Sequence, residues 1–164
     1  MNLLTKSLAV LSAVLLLAAC DSTPGSKSSV SGQGGASASG GPTTPGSQAD
    51  LTQNVGDRVF FDKDSSILSA DAQHTLDRQA AWLKQYPKIN VTVEGHCDER
   101  GTREYNLALG ERRAAAAKKY LIGLGIATSR ISTISYGKER PAVIGSDESA
   151  WSQNRRAVTV LLNQ

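Results

Sequence analysis

Apolar and polar positions divide the 164 residues into three stretches. A ten-residue apolar run, Leu8 to Leu17, follows a short start carrying Lys6. From Asp21 to Asp50 the chain is Gly, Ser, Thr and Pro with scarcely an apolar side chain. Periodic patterns begin only after that. Arg58-Val59-Phe60-Phe61 reads as a short strand, followed by the turn-prone Asp62-Lys63-Asp64-Ser65-Ser66. Ser69 is placed as an N-cap with Asp71 in the first turn, and Ala72, Leu76, Ala80 and Leu83 recur at helical spacing until Pro87 stops them. Ile89, Val91 and Val93 alternate with Asn90, Thr92 and Glu94, the signature of a half-buried strand. A long helix is predicted from Arg103 to Leu124, with a seam of Tyr105, Leu109, Arg112, Ala116, Tyr120 and Leu124 and with Gly125 as its C-cap. Ile131 to Tyr136 and Ala157 to Leu162 read as the third and fourth strands. The order βαβαβ plus a final strand predicts an α/β layered sandwich, with helices packed on a small mixed four-stranded sheet.

The early apolar run is too short for a bilayer-spanning helix, which needs about 20 apolar residues. A charged start, a short apolar core and small residues before a break describe a secretory signal. The break, Leu17-Ala18-Ala19-Cys20, resembles a bacterial lipobox, which implies removal of residues 1–19 and covalent lipid, palmitate included, on Cys20. An ordinary signal peptide with an incidental Cys20 is the alternative. Two or more acyl chains hold a protein firmly in a leaflet, whereas one binds reversibly. Residues 20–54 are expected to be a flexible tether, because so polar a segment cannot offset its ordering entropy. As a coil, some 30 such residues span about 30 Å; pulled straight they reach roughly 100 Å. The folded domain is expected over 55–164.

Charge changes this picture little. Without Lys6 the chain carries 17 Lys and Arg (18 − 1) against 15 Asp and Glu, too small an excess to argue for nucleic acid. Cys20 and Cys97 are the two cysteines, so lipid on the first leaves Cys97 without an intramolecular disulfide partner and the domain, expected monomeric, held by its core.

Three polar clusters stand out: Gly95-His96-Cys97-Asp98-Glu99-Arg100-Gly101, then Tyr105-Asn106 with Arg112-Arg113, then Asn154-Arg155-Arg156. Asn106 and Arg113 are seven apart and share a helix face, with Gly110 between them. A mid-helix Gly costs about 1 kcal/mol relative to Ala, so close approach of a ligand or a backbone should offset it. An acid and an arginine beside such a gap suit a zwitterion, the carboxylate taking an ammonium and the guanidinium a carboxylate. Spacing alone leaves an ordinary Asp98–Arg113 salt bridge equally open. A zinc reading of His96, Cys97 and Asp98 is weak, because structural zinc wants four ligands and adjacent strand residues alternate direction. A Cys-His nucleophile lacks geometry for the same reason. Trp82 is expected to pack in the core, and Trp151 is the better candidate of the two for a partner surface.

Gly95-His96-Cys97-Asp98, Arg100-Gly101-Thr102, Tyr105-Asn106, Leu109-Gly110-Glu111-Arg112-Arg113-Ala114, Tyr136-Gly137, Pro141 and Asn154-Arg155-Arg156 together resemble the OmpA-like peptidoglycan-binding domain. The resemblance implies non-catalytic binding of the diaminopimelate end of the peptidoglycan stem peptide, with no cofactor beyond the lipid. Asp98 would hold the ammonium and Arg113 the carboxylate. Phe61, Asp62, Thr102, Asn106 and Leu109 would line the pocket, and Asn154 and Arg155 would brace it. It also implies outer-membrane placement, although Asp21 resembles an inner-membrane retention signal. The implied partners are peptidoglycan, TolB and TolA, in envelope integrity and in constriction during cell division. A general wall-anchoring lipoprotein of the family, without Tol partners, is the alternative function; a cell-wall hydrolase is a further one.

Overall fold

A computed structural model describes residues 43–162; the expected signal peptide, Cys20 and most of the expected tether lie outside the described residues. The elements run α1 (Gln48–Asp50) into a π-turn (Leu51–Val55), β1 (Arg58–Phe60), α2 (Ala70–Gln85), β2 (Asn90–His96), α3 (Arg103–Gly123), a 3-10 turn (Thr128–Arg130), β3 (Ile131–Gly137), α4 (Glu148–Asn154) and β4 (Arg156–Leu162). The sheet order is β1-β4-β2-β3, antiparallel except for the β2–β3 pair. This is the mixed four-stranded sandwich that the pattern predicts. Ser69 caps α2, its side chain accepting from the Ala72 N–H.

One face of the sheet carries the core. Val91 and Val93 point into it, under Leu76 and Leu83 of α2 and Ala114 and Leu121 of α3. Alternation puts Thr92, Glu94 and His96 on the opposite face. The α3 seam differs from the predicted one by a residue: Asn106, Leu109, Gly110, Arg113, Ala114, Ala117 and Leu121 are buried, while Tyr105 and Arg112 are exposed. Of the predicted seam, Leu109 is buried and Tyr120 and Leu124 pack against the edge of the core, whereas Tyr105 and Arg112 face away from it. The true face is made of small residues that let backbones touch and of polar ones with buried partners. A Cβ on Gly95 would collide with the Gly110 carbonyl, so the glycine in the middle of α3 is offset by backbone contact with β2.

The segment 48–54, expected as the end of the tether, is instead folded onto the domain. Leu51 is buried in the core, and Trp82 donates its indole N–H to Asp50 at 2.9 Å. Strand β1 is only three residues long and leaves the far end of β4 uncovered on that edge. Gln48 supplies the missing partners, accepting from the Leu161 N–H at 2.9 Å and donating to the Thr159 carbonyl at 3.3 Å. A buried or half-buried ladder needs those bonds. Helix α4, predicted only as a polar segment, starts at Asp147, whose carboxylate accepts from the Ala150 N–H. Among the described residues no helix is long and apolar enough to cross a membrane.

Candidate functional site

The chain leaves β2 at His96 and turns through Cys97 and Asp98 into the loop before α3. Asn106 shapes that loop from below, donating to the carbonyls of Arg100 at 2.8 Å and Thr102 at 3.1 Å. Thr102 is the N-cap of α3, its hydroxyl accepting from the Tyr105 N–H at 3.2 Å. Leu109 is buried beneath, and the Cys97 thiol donates to the Asn106 carbonyl at 3.3 Å. Burial pushes that thiol above its ordinary range.

Asp98 is 7 % exposed and surrounded by arginines. Arg100 engages it with both prongs, Nε to Oδ1 at 3.1 Å and Nη2 to Oδ2 at 2.6 Å, and adds its backbone N–H at 3.1 Å. Arg155 Nη1 lies 3.6 Å from the same carboxylate, without a hydrogen bond of its own. Burial alone would raise the Asp98 carboxyl. The Arg100 hydrogen bonds, with the charges of Arg100 and Arg155, outweigh that and hold it below the usual carboxylate range.

Arg113 is fully buried and does not pair with Asp98. Three of its N–H groups go to carbonyls instead: Nε to Ser65 at 2.8 Å, Nη1 to His96 at 2.8 Å and Nη2 to Asp62 at 3.0 Å. The Asp98–Arg113 salt bridge that spacing left open is thus absent among the described residues. Arg113 straps the 62–65 loop to the end of β2, with its guanidinium 5.3 Å from the centre of the Phe61 ring. Burial lowers its proton affinity, but a guanidinium keeps its charge at any working pH. Asp62 itself is exposed and enters the strap through its carbonyl.

The last cluster closes the site from the end of α4. Arg155 donates Nε to the Phe61 carbonyl at 3.0 Å and Nη2 to Glu148 at 2.6 Å, and the Phe61 N–H returns to the Arg155 carbonyl at 2.9 Å. Asn154 holds the preceding loop, accepting from the N–H groups of Ala142 and Val143 and donating to the Val143 carbonyl. A cavity of about 400 Å3 opens beside Phe61, Asp62 and Arg155. Neither Asp98 nor Arg113 lines it, since Arg100 occupies the first and backbone carbonyls engage the second. Among the described residues no cluster of three His, Cys, Asp or Glu side chains could hold a metal ion.

Two participants escaped the sequence reading. Arg100 as the partner of Asp98 had a local signal, an acid two residues ahead of a backbone N–H it can cap. Glu148 had none, because α4 comes from 50 positions further along the chain (148 − 98).

This fold and this arginine-ringed acid at the end of β2 define an OmpA-like domain, and residues 60–155 match the OmpA family. A peptidoglycan-associated lipoprotein of Rhizobium meliloti (strain 1021) is 58% identical over 90% of this chain and 82% of its own length. That of Haemophilus influenzae is 47% identical over 96% of this chain and 98% of its own. A crystal structure of the peptidoglycan-associated lipoprotein from Burkholderia pseudomallei superposes with a TM-score of 0.63 at 42% identity, over 65% of this chain and 90% of that one. The C-terminal domain of Helicobacter pylori MotB, at 23% identity and a TM-score of 0.62 over 66% of this chain and 85% of that one, shares the fold. The chain belongs to the OmpA family and, within it, to the peptidoglycan-associated lipoproteins.

Proposed function

We propose that the protein is a non-catalytic strap, lipid-anchored at Cys20 in the outer membrane, whose domain grips the diaminopimelate tip of peptidoglycan stem peptides in the periplasm. The observation that carries this reading is Asp98: a buried, ionised carboxylate whose partners among the described residues are arginines. With an ammonium on Asp98, the guanidinium groups of Arg113, Arg155 and Arg100 leave a positive field that calls for an anion. A zwitterion supplies both charges at once. Phe61 and Asp62 line the cavity beside the site, Asn106 fixes the loop that carries Asp98, and Arg113, buried beneath, holds the 62–65 loop in place. In this reading the protein works in the Tol-Pal system, TolB competes with the wall for the domain, and TolA acts in the same assembly during constriction. The lipid and tether allow the grip to be released and remade.

Retention on purified sacculi tests the proposal. Asp98→Asn should abolish retention with the unfolding midpoint moved by only a few degrees, added TolB should release the wild-type protein, and no wall fragments should appear in solution. Wild-type retention by Asp98→Asn would overturn the site assignment, and released fragments would overturn the non-catalytic reading.

A further inference from the structure

The carboxylate proposed to receive an ammonium is already occupied. Arg100 covers both oxygens of Asp98, and it is the one arginine of the cluster with freedom to leave, its side chain being 29 % exposed. Two groups of α4 hold it in place from outside. Its guanidinium stacks on the Trp151 ring at 4.0 Å, and Nη1 lies 3.8 Å from Glu148. Trp151 is fixed in turn by donating its indole N–H to Glu99 at 3.1 Å. Glu148 is a weak alternative partner, being 63 % exposed and engaged by Arg155 through its other oxygen. Arg100 therefore has a pivot against an aromatic wall but no second carboxylate of comparable quality.

We propose that Arg100 is the specificity-determining residue of this site: a ligand's ammonium must displace its guanidinium from Asp98, and the displaced guanidinium donates to the carboxylate that the same ligand brings. The proposal rests on Asp98 being the ammonium site. Charge counting gives the discrimination. A ligand tip with an ammonium alone, as in a lysine-type stem peptide, adds a cation beside Arg100, Arg113 and Arg155 and leaves Arg100 without a good partner. A diaminopimelate tip adds no net charge and re-pairs Arg100. The repulsive element against the wrong ligand is thus built into the chain itself.

The full chain is titrated calorimetrically with two soluble stem tripeptides, one ending in meso-diaminopimelate and one in lysine. Wild type should favour the diaminopimelate peptide. Arg100→Ala should narrow the ratio of the two affinities about ten-fold or more, because the competitor for the lysine ammonium is gone. Arg100→Lys should keep more of the discrimination than Arg100→Ala. Salt should weaken lysine-peptide binding more steeply in Arg100→Ala than in wild type, since an ion pair is then gained rather than exchanged. An unchanged ratio in Arg100→Ala, with Asp98→Asn unable to bind either peptide, overturns the role of Arg100 and leaves the site reading standing. Wild-type binding of both peptides by Asp98→Asn overturns the site reading and this proposal with it.

Discussion

Arg113 and Arg156 are buried to 0 % and 7 % exposure on opposite faces of the same end of the sheet, and their surroundings differ sharply. On the helix-covered face, Arg113 donates to three carbonyls at 2.8 to 3.0 Å. On the other face, Arg156 has an Nε without a partner and only long contacts, 3.4 Å to the Asn154 carbonyl and 3.2 Å to that of Arg140. Beside it lies His96, buried with neither ring nitrogen hydrogen-bonded. Its Nε2 is 3.6 Å from Glu94, too far for a hydrogen bond. Burial, reinforced by the charge of Arg156, pushes the His96 pKa down to about 4, so the ring is neutral at pH 7 and makes no ion pair. A buried cation is stabilising only where its donors are matched, and the matched one lies under the proposed ligand site. That side is preorganised; the other tolerates loss.

Breaking the better-matched side should have the largest effect. Arg113→Met leaves three carbonyls, one buried and two part-buried, without their donor, and at about 1 kcal/mol each the loss is about 3 kcal/mol in urea denaturation. Binding defects in Arg113 variants therefore mix fold with recognition, which is why Asp98 is the cleaner probe. Acid should sharpen the contrast from the other side. The folded pKa of His96 lies below its unfolded value of 6.5, so the unfolded chain takes up the proton first. Stability from this group is complete above pH 6.5 and is lost as the pH falls toward 4, by roughly 3 kcal/mol in all. Denaturation midpoints measured from pH 7 to 4 should show the decline in wild type and a flatter profile in His96→Gln. The smallest change is expected at the poorly matched arginine: Arg156→Met should stay within about 1 kcal/mol of wild type. A loss as large as that of Arg113→Met would erase the distinction between the two faces.

The strands, α2 with its Ser69 cap, the extent of α3 and the polar end of β2 were legible in the sequence, because alternation, helical spacing and capping are local signals read within a few residues. The α3 face was legible in part: spacing puts Asn106, Gly110 and Arg113 together and Gly110 signals a close approach, but that Gly95 of β2 is what lies against it is not a local signal. The same holds for Gln48, whose partners on β4 are more than 100 positions away. Within the site, the sequence put Asp98, Asn106 and Arg113 at one end of one strand and one helix. Only the tertiary structure decided that Arg113 turns to backbone carbonyls and that Arg155 and Glu148 join the Asp98–Arg100 pair, because that depends on chains arriving from α4 and the 62–65 loop. Arg100 lies two residues from Asp98 and reaches it locally, whereas the diversion of Arg113 to carbonyls and the arrival of Arg155 exist only once those segments are packed together.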